Sequence, residues 1–259
     1  MPGEADLSTF VALKEIVAQL RAADGCPWDR KQTHASLKPY LVEECYEVLQ
    51  ALEEGSGQKL CEELGDLLLQ IMLHAQIAAE DEQFDVEDVV RGISGKLIHR
   101  HPHVFGGHNA KDAAEVELNW EALKREERQE GESLLSGVPR QMPALAYSQS
   151  IQRRVARVGF DWENVDDIMD KLDEEVEEIR QAANQDEKTE EFGDLFFTLV
   201  NIARRLDIDS EMALRAANER FYQRFSCMED ACRKRGVSFS SLSFDEKDAL
   251  WEEAKRRMK

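Results

Sequence analysis

Four segments from the first half of the chain recur in the same order in the second half, and this internal repeat limits the folds open to it. Within each pair the segments are similar in sequence, and the offset between the two copies changes little along the chain, so only the loops differ in length. The pairs are GCPWD with VGFDW, EECYE with EEVEE, EELGDLLLQIML with EEFGDLFFTLVN, and FDVEDVVRGISGKLIHR with IDSEMALRAANERFYQR. Four matches in one order indicate a duplicated module of roughly 100 residues per copy.

Apolar residues recur at helical spacing in these segments, and no sustained strand alternation is present. We therefore predict an all-α fold of tandem helical modules. The prolines are expected to lie between helices: Pro27, Pro39, Pro102, Pro139 and Pro143. The predicted organisation is an N-terminal helical module over 1–108, a charged helix and linker over 109–142, and a C-terminal module over 143–259.

The chain has 259 residues, of which 42% are hydrophobic and 33% charged, and its formal net charge is −20. Such an acidic surface repels nucleic-acid backbones and anionic membranes, so both are excluded as expected partners. A polyanionic substrate would have to arrive with a cation. The five cysteines form no Cys-x-x-Cys pair, the N-terminus lacks a signal-peptide profile, and no apolar stretch approaches a membrane span. We expect a cytoplasmic protein with reduced thiols.

The second copy places acidic residues beside an apolar stripe. At about 100° per residue, Lys171, Glu174, Glu175 and Glu178 share one flank of the helix predicted from KLDEEVEEIRQAA. The next helix carries Glu191 and Asp194 three residues apart and so on one face. Apolar residues surround this second pair, and we expect the helix to be buried on most sides: Phe192, Leu195, Phe196, Leu199 and Ile202.

A buried, unpaired carboxylate is costly, so it must be paired, protonated or bound to a metal. Acids converging from two antiparallel helices repel one another unless a divalent cation neutralises them, and oxygen-only ligands favour Mg²⁺ or Mn²⁺. Gly65 and Gly193 are expected to let the helices approach closely. A di-iron carboxylate bundle requires Glu-x-x-His motifs, and none of the six histidines has a glutamate three residues before it.

The pattern EExxE followed by ExxD resembles that of the all-α nucleoside triphosphate pyrophosphohydrolases. Together with GCPWDRKQTHASLKPYLVEECYEVLQAL, RHPHVFG and VGFDW, it makes nearly the whole chain similar to the MazG family in its two-copy bacterial form. The resemblance implies a hydrolase acting on acid anhydrides, which converts a ribo- or deoxyribonucleoside triphosphate and water into the monophosphate and pyrophosphate and so cleans the nucleotide pool. It also implies Mg²⁺ dependence and a homodimer with four-helix units built from both chains.

The resemblance further implies roles for single residues, with catalysis in the second copy. Glu175 and Glu178 would be catalytic. The implied metal ligands are Glu175, Glu178, Glu191 and Asp194. The implied nucleotide contacts are Lys171, Glu174, Asp194, Arg220, Arg224 and Trp251.

The first copy keeps an acidic set that would also bind metal: Glu44, Glu47, Glu63 and Asp66. It has Tyr40 where the second copy has Lys171, and no tryptophan at the position of Trp251. Whether the first copy also hydrolyses substrate therefore stays open. Two alternatives also stay open for the whole chain. One is a narrower enzyme acting on dUTP or phosphoribosyl-ATP, and the other is a non-catalytic nucleotide sensor.

Overall fold

The structure, a computed structural model, describes residues 6–107, 110–112, 115–116, 119–120, 123 and 131–258. Ten α-helices have defined bounds within these residues, and none of these residues lies in a β-strand, which confirms the predicted all-α fold. None of the helices searched in this part of the chain is long and apolar enough to cross a membrane. The chain divides into two compact units, Met1–Gln129 (unit 1) and Glu130–Lys259 (unit 2).

Unit 1 is organised around a hairpin of two long helices, α2 and α3. Its described helices are α1 (Phe10–Arg21), α2 (His34–Glu54), α3 (Gly57–Glu80), α4 (Val86–Arg100) and α5 (Pro102–Phe105). Helices α1 and α4 pack against α3. The hydrophobic core consists of Val17, Leu37, Met72, Leu73 and Ile77.

Local signals in the sequence set the start and end of the α2–α3 hairpin. The Thr33 side chain accepts a hydrogen bond from the Ser36 backbone and forms a capping box that starts α2. Gly55 ends α2 in the left-handed region, at φ 67°, which favours glycine. The Ser56 side chain then caps α3. Because only these two residues separate the helices, α3 runs back antiparallel along α2.

The prediction that Pro39 separates two helices is wrong. Pro39 lies inside α2, which begins five residues earlier at His34. The capping box at Thr33 and the buried Leu37 hold this first part of the helix in place, and tertiary packing overrides the proline signal.

Unit 2 repeats the hairpin and adds a second helix pair. Its described helices are α6 (Ala144–Ala156), α7 (Val165–Gln181), α8 (Gln185–Arg205), α9 (Ser210–Arg235) and α10 (Phe244–Arg257). Helices α7 and α8 form the hairpin, α6 packs on α8, and α10 packs on α9. Asn164 and Asn184 cap α7 and α8 through their side chains. The α9–α10 pair has its own core of Met228, Cys232, Leu250 and Ala254.

The predicted charged helix and linker over 109–142 lies partly outside the described residues, namely at 109, 113–114, 117–118, 121–122 and 124–130, and the described residues at 115–116, 119–120 and 123 are helical. The described part from 131 to 143 consists of turns and irregular backbone.

Candidate metal centre

Helices α7 and α8 bring acidic side chains from two segments together. Each of Glu175, Glu178 and Glu191 offers one carboxylate oxygen, and these three oxygens lie within 4.8 Å of one another. The spacing Glu175 to Glu178 is one turn of α7, and the short loop after α7 returns Glu191 on α8 to the same level. Together with Asp194 we refer to these residues as cluster 2.

Glu175 is the buried member of cluster 2, with only 3% of its surface exposed. Its Oε1 lies 2.9 Å from Lys171 Nζ. Its Oε2 is buried and has no hydrogen-bond partner among the described residues. An orphaned, buried carboxylate oxygen beside two further carboxylates is the donor set that a hard divalent cation requires, so the residues fit a metal ion.

Lys171 partly neutralises cluster 2. Its Nζ lies 3.0 Å from Glu174 Oε1 and 3.8 Å from Glu178 Oε2, in addition to its contact with Glu175. The hydrogen bonds that Lys171 donates to Glu175 first and then to Glu174 raise the pKa of the Lys171 amine well above its usual value. The ammonium group is therefore charged at neutral pH and stays among the carboxylates.

One lysine does not balance this many acids. Burial, followed by the charges of Glu178, Glu175 and Asp194, raises the pKa of Glu191 above its usual value. Neighbouring carboxylates make ionisation of such a carboxyl group less favourable, and a nearby cation would remove this penalty.

The expectation that α8 is buried on most sides is wrong for the single chain. Asp194 is exposed, and so are Phe192, Phe196 and Leu199, at 47%, 54% and 43%. Gly193 does not provide a close helix approach either, because a Cβ there would meet no atom within 4 Å, and the same holds for Gly65 in unit 1. The apolar residues of α8 thus form an open face beside the carboxylates.

Unit 1 contains a similar acidic site, which we call cluster 1: Glu44, Glu47, Glu63 and Asp66. One oxygen from each of Glu44, Glu63 and Asp66 lies within 4.8 Å of the others. Glu47 is not in this tight group. Burial first, and then the interactions with Glu47 and Asp66, raise the pKa of Glu44. In the described part of the chain, no lysine or arginine forms an ion pair with cluster 1.

The predicted nucleotide contacts divide into two groups. Lys171, Glu174 and Asp194 lie at or beside cluster 2. Arg220, Arg224 and Trp251 lie on α9 and α10, where the Arg224 guanidinium is 5.6 Å from the centre of the Trp251 ring. Within the described residues, no hydrogen bond or ion pair joins the two arginines to the carboxylates.

Sequence reasoning identified the motif VGFDW in the loop that joins α6 to α7 but did not predict the ion pairs of this loop. Its Asp161 carboxylate pairs with Arg204 and, at 3.4 Å, with Arg205. Arg205 also donates a hydrogen bond to the Glu163 carbonyl at 3.1 Å. The repeat VGFDW marks this segment in the sequence, but its arginine partners lie about 40 residues further along the chain.

Comparisons with known proteins show which proteins the chain is similar to in sequence. Residues 32–105 match the model of the MazG nucleotide pyrophosphohydrolase domain. The chain is 44% identical to the nucleoside triphosphate pyrophosphohydrolase/pyrophosphatase MazG of Thermotoga maritima, over 95% of each chain. It is 42% identical to the nucleoside triphosphate pyrophosphohydrolase of Escherichia coli K12, over 95% of this chain and 96% of that protein. It is also 45% identical to the uncharacterized protein YabN of Bacillus subtilis, over 95% of this chain and 51% of that protein.

Proposed function

The chain belongs to the MazG nucleotide pyrophosphohydrolase family, and on this premise we propose that it hydrolyses nucleoside triphosphates to the monophosphate and pyrophosphate. The observation that carries the proposal is cluster 2, where three carboxylates and Lys171 meet at the α7–α8 hairpin. Ribo- and deoxyribonucleotides are both included, in keeping with a role in cleaning the nucleotide pool.

The proposed metal is Mg²⁺, with Mn²⁺ as a substitute, because all the ligands are carboxylate oxygens. Its ligands would be Glu175, Glu178, Glu191 and Asp194. A bound divalent cation supplies two things here, neutralisation of the triphosphate and a lower pKa for a coordinated water. The unpartnered Glu175 Oε2 supports this assignment.

The chain's own residues then have distinct tasks. Glu178, whose side chain is 43% exposed, is accessible to a water molecule and accepts its proton as the water attacks the α-phosphorus. Glu175 is buried and is fixed by Lys171, so it orients the site. Lys171 and Glu174 face the nucleotide from the same flank of α7. The raised pKa of its amine keeps Lys171 protonated. Its ammonium group can therefore stabilise the negative charge that develops on the phosphates in the transition state.

A homodimer completes this proposal. Arg220, Arg224 and Trp251 would contact the phosphates and the nucleotide when a second copy covers the open apolar face of α8 beside cluster 2. We expect light scattering at micromolar concentration to give the mass of a dimer. An active monomer under the same conditions would contradict this part of the proposal.

Cluster 1 is proposed to bind a divalent cation through Glu44, Glu47, Glu63 and Asp66. It has Tyr40 in the position of Lys171, so no lysine on that helix flank positions the substrate. We therefore assign catalysis to unit 2.

The test is a panel of nucleoside triphosphates with Mg²⁺, in which pyrophosphate and orthophosphate are quantified separately. We expect equimolar nucleoside monophosphate and pyrophosphate, and no turnover after chelation of the metal. Direct release of orthophosphate, without added pyrophosphatase, would refute the reaction. If only dUTP or phosphoribosyl-ATP is hydrolysed, the protein is the more specific enzyme named above as an alternative. If nucleotides bind and no product forms, it is a non-catalytic nucleotide sensor.

A further inference from the structure

The internal repeat extends past the four paired segments to a tryptophan in each half of the chain. The sequence WEALKR begins at Trp120 and the similar sequence WEEAKR begins at Trp251. They follow the last pair of repeated segments, which end at Arg100 and Arg224. The connection from arginine to tryptophan is shorter in the first copy, as expected when copies differ in their loops. Trp120 therefore takes in the first copy the place that Trp251 has in the second.

The structure gives this tryptophan the same partner in both units. In unit 1 the guanidinium carbon of Arg100 lies 5.6 Å from the centre of the Trp120 ring. In unit 2 the guanidinium carbon of Arg224 lies 5.6 Å from the centre of the Trp251 ring. Both arginines and both tryptophans are half-buried. Chain position and cation–π geometry agree, so unit 1 has a counterpart of Trp251, contrary to the expectation from the sequence.

The second basic residue proposed to contact the nucleotide is also repeated. Lys96 lies one turn before Arg100 on α4, as Arg220 lies one turn before Arg224 on α9. Lys96 and Arg220 are both exposed, and neither side chain makes a hydrogen bond or an ion pair within the described residues. Unit 1 thus repeats all three of the α9 and α10 side chains proposed to contact the nucleotide.

A buried glutamine beside cluster 1 is a second, independent indication of a ligand. The Gln70 side chain on α3 hydrogen-bonds to Glu44. Gln70 is 6% exposed, and its Oε1 has no partner in the described part of the chain. Unpaired buried acceptors are rare. A cation held by the carboxylates would satisfy this one through a coordinated water, because Mg²⁺ keeps several of its waters in protein sites.

We propose that unit 1 is a second binding site for a nucleoside triphosphate and its divalent cation, formed by cluster 1, Lys96, Arg100 and Trp120. The carboxylates alone would repel a triphosphate, so the cation joins the two and the basic side chains contact the phosphates. In the proposed homodimer these contacts can come from the two copies. The inference rests on the proposed function, because it gives unit 1 the contacts proposed for unit 2. Catalysis stays assigned to unit 2, since Tyr40 replaces Lys171.

The test counts nucleotides bound to the full chain by calorimetry. The ligand is an ATP analogue with a methylene group between the α- and β-phosphorus, given with Mg²⁺. This analogue cannot release pyrophosphate, so binding is measured without turnover. We expect two analogue molecules per chain. One molecule per chain would overturn the inference.

Substitutions on α4 and at the tryptophan locate the second site. Lys96→Gln should weaken one of the two sites by about 10-fold, the effect of losing a hydrogen bond to a charged group, and leave the other unchanged. Lys96 is exposed, so this variant is expected to fold. Trp120→Ala should weaken the same site by about 10-fold, the size expected for one aromatic stack. If neither substitution weakens a site, the inference is overturned.

Arg91→Gln is the matched control for the loss of one positive charge from α4. Arg91 is exposed, pairs with Asp88, and lies about 140° around the helix from Lys96. This variant should keep both affinities. An equal loss in Arg91→Gln and Lys96→Gln would reflect net charge alone and would overturn the inference.

Arg220→Gln separates the second site from the first. It should weaken the site that Lys96→Gln leaves unchanged, so that the double variant has two weakened sites. If both substitutions act on one site, unit 1 has no site of its own and the inference is overturned.

The product assay keeps this inference apart from the proposed function. Two analogue molecules per chain, one of them weakened in Lys96→Gln, support the second site even if no triphosphate is hydrolysed. Hydrolysis by a chain that binds one analogue molecule would leave the proposed function intact and overturn the second site.

Discussion

Cluster 1 and cluster 2 contain the same four carboxylates at matching positions but differ in the residue one turn before them. In unit 2, Lys171 lies within 4 Å of three glutamates. In unit 1, Tyr40 takes that place, and the pKa of Glu44 is raised by burial and by neighbouring acids. The comparison teaches that one set of carboxylates can have two electrostatic settings. Cluster 2 has a lysine that partly offsets its negative charge, whereas no lysine or arginine in the described part of the chain forms an ion pair with cluster 1.

The loops before the two hairpins differ in a related way. The Trp28 ring packs edge-on against Tyr40, with 6.0 Å between ring centroids. Trp162, from the repeated motif in unit 2, instead lines a pocket. The residue that replaces lysine in unit 1 thus also contacts the loop tryptophan, so the residue before the carboxylates and the packing of the loop tryptophan both differ between the units.

The largest expected effect separates the two clusters by activity. Asp194→Asn and Asp66→Asn are nearly isosteric, and each removes one charge from its cluster. Asp194→Asn should lower kcat by at least about 100-fold, the size of losing one strong electrostatic contact in the transition state. Asp66→Asn should leave most turnover intact, because unit 1 lacks the lysine.

Steady-state kinetics on both variants at saturating Mg²⁺ make this measurement, and circular dichroism checks that the helices are retained. Equal losses from the two substitutions would mean that both units turn over or are coupled. A loss confined to Asp66→Asn would reverse the assignment of the active unit.

An exchange of the two distinguishing residues gives the next largest effect. Lys171→Tyr should lower kcat/KM by about 10-fold or more, which corresponds to one hydrogen bond to a charged group. Tyr40→Lys should not create turnover, but it should raise the melting temperature of the metal-free protein and reduce the further rise caused by Mg²⁺. Thermal melts with and without Mg²⁺ check this. An unchanged response to Mg²⁺ would show that the residue at position 40 does not control cluster 1.

The smallest effect concerns the loop ion pairs and their dependence on pH. Burial alone would raise the pKa of Asp161, but the hydrogen bond from Arg204 and the charges of Arg204 and Arg205 outweigh it and hold the pKa below its usual value. The pair therefore stabilises the fold above the unfolded pKa of about 3.9 and loses this effect as pH falls through the lower folded value. Asp161→Asn should lower the free energy of unfolding by about 1–3 kcal/mol at pH 7. It should have no effect at a pH low enough to protonate Asp161 in both the folded and the unfolded protein.

Denaturant unfolding at pH 7 and near pH 2, with hydrogen exchange to assign the change to unit 2, checks this expectation. Glu80→Gln is the counterpart in unit 1, where Arg21 lowers the pKa of Glu80 in the same direction. Its effect should be smaller, since the Glu80 side chain is 37% exposed and that of Asp161 is 19% exposed. A cost for Asp161→Asn that stays constant across this pH range would exclude the ion pair as its cause.

Helix type and the grouping of acids could be predicted from sequence because both depend on local geometry. The spacing of Lys171, Glu174, Glu175 and Glu178 places them on one flank of any α-helix, whatever packs around it. The caps at Asn164 and Asn184 are likewise local, and a short segment between two such helices makes them antiparallel. The sequence by itself thus determined the hairpin, its repeat and the acidic side chains that meet on it.

Only the tertiary structure decided which of these side chains are covered. Glu175, expected on a flank, is buried, whereas Asp194 and Phe196, expected inside, are exposed. The pocket likewise requires Gln152 from α6, the loop with Trp162, and Arg204 from the end of α8 to meet. Burial and pocket shape arise from contacts between segments distant in the chain, and helical periodicity carries no information about which segments those are.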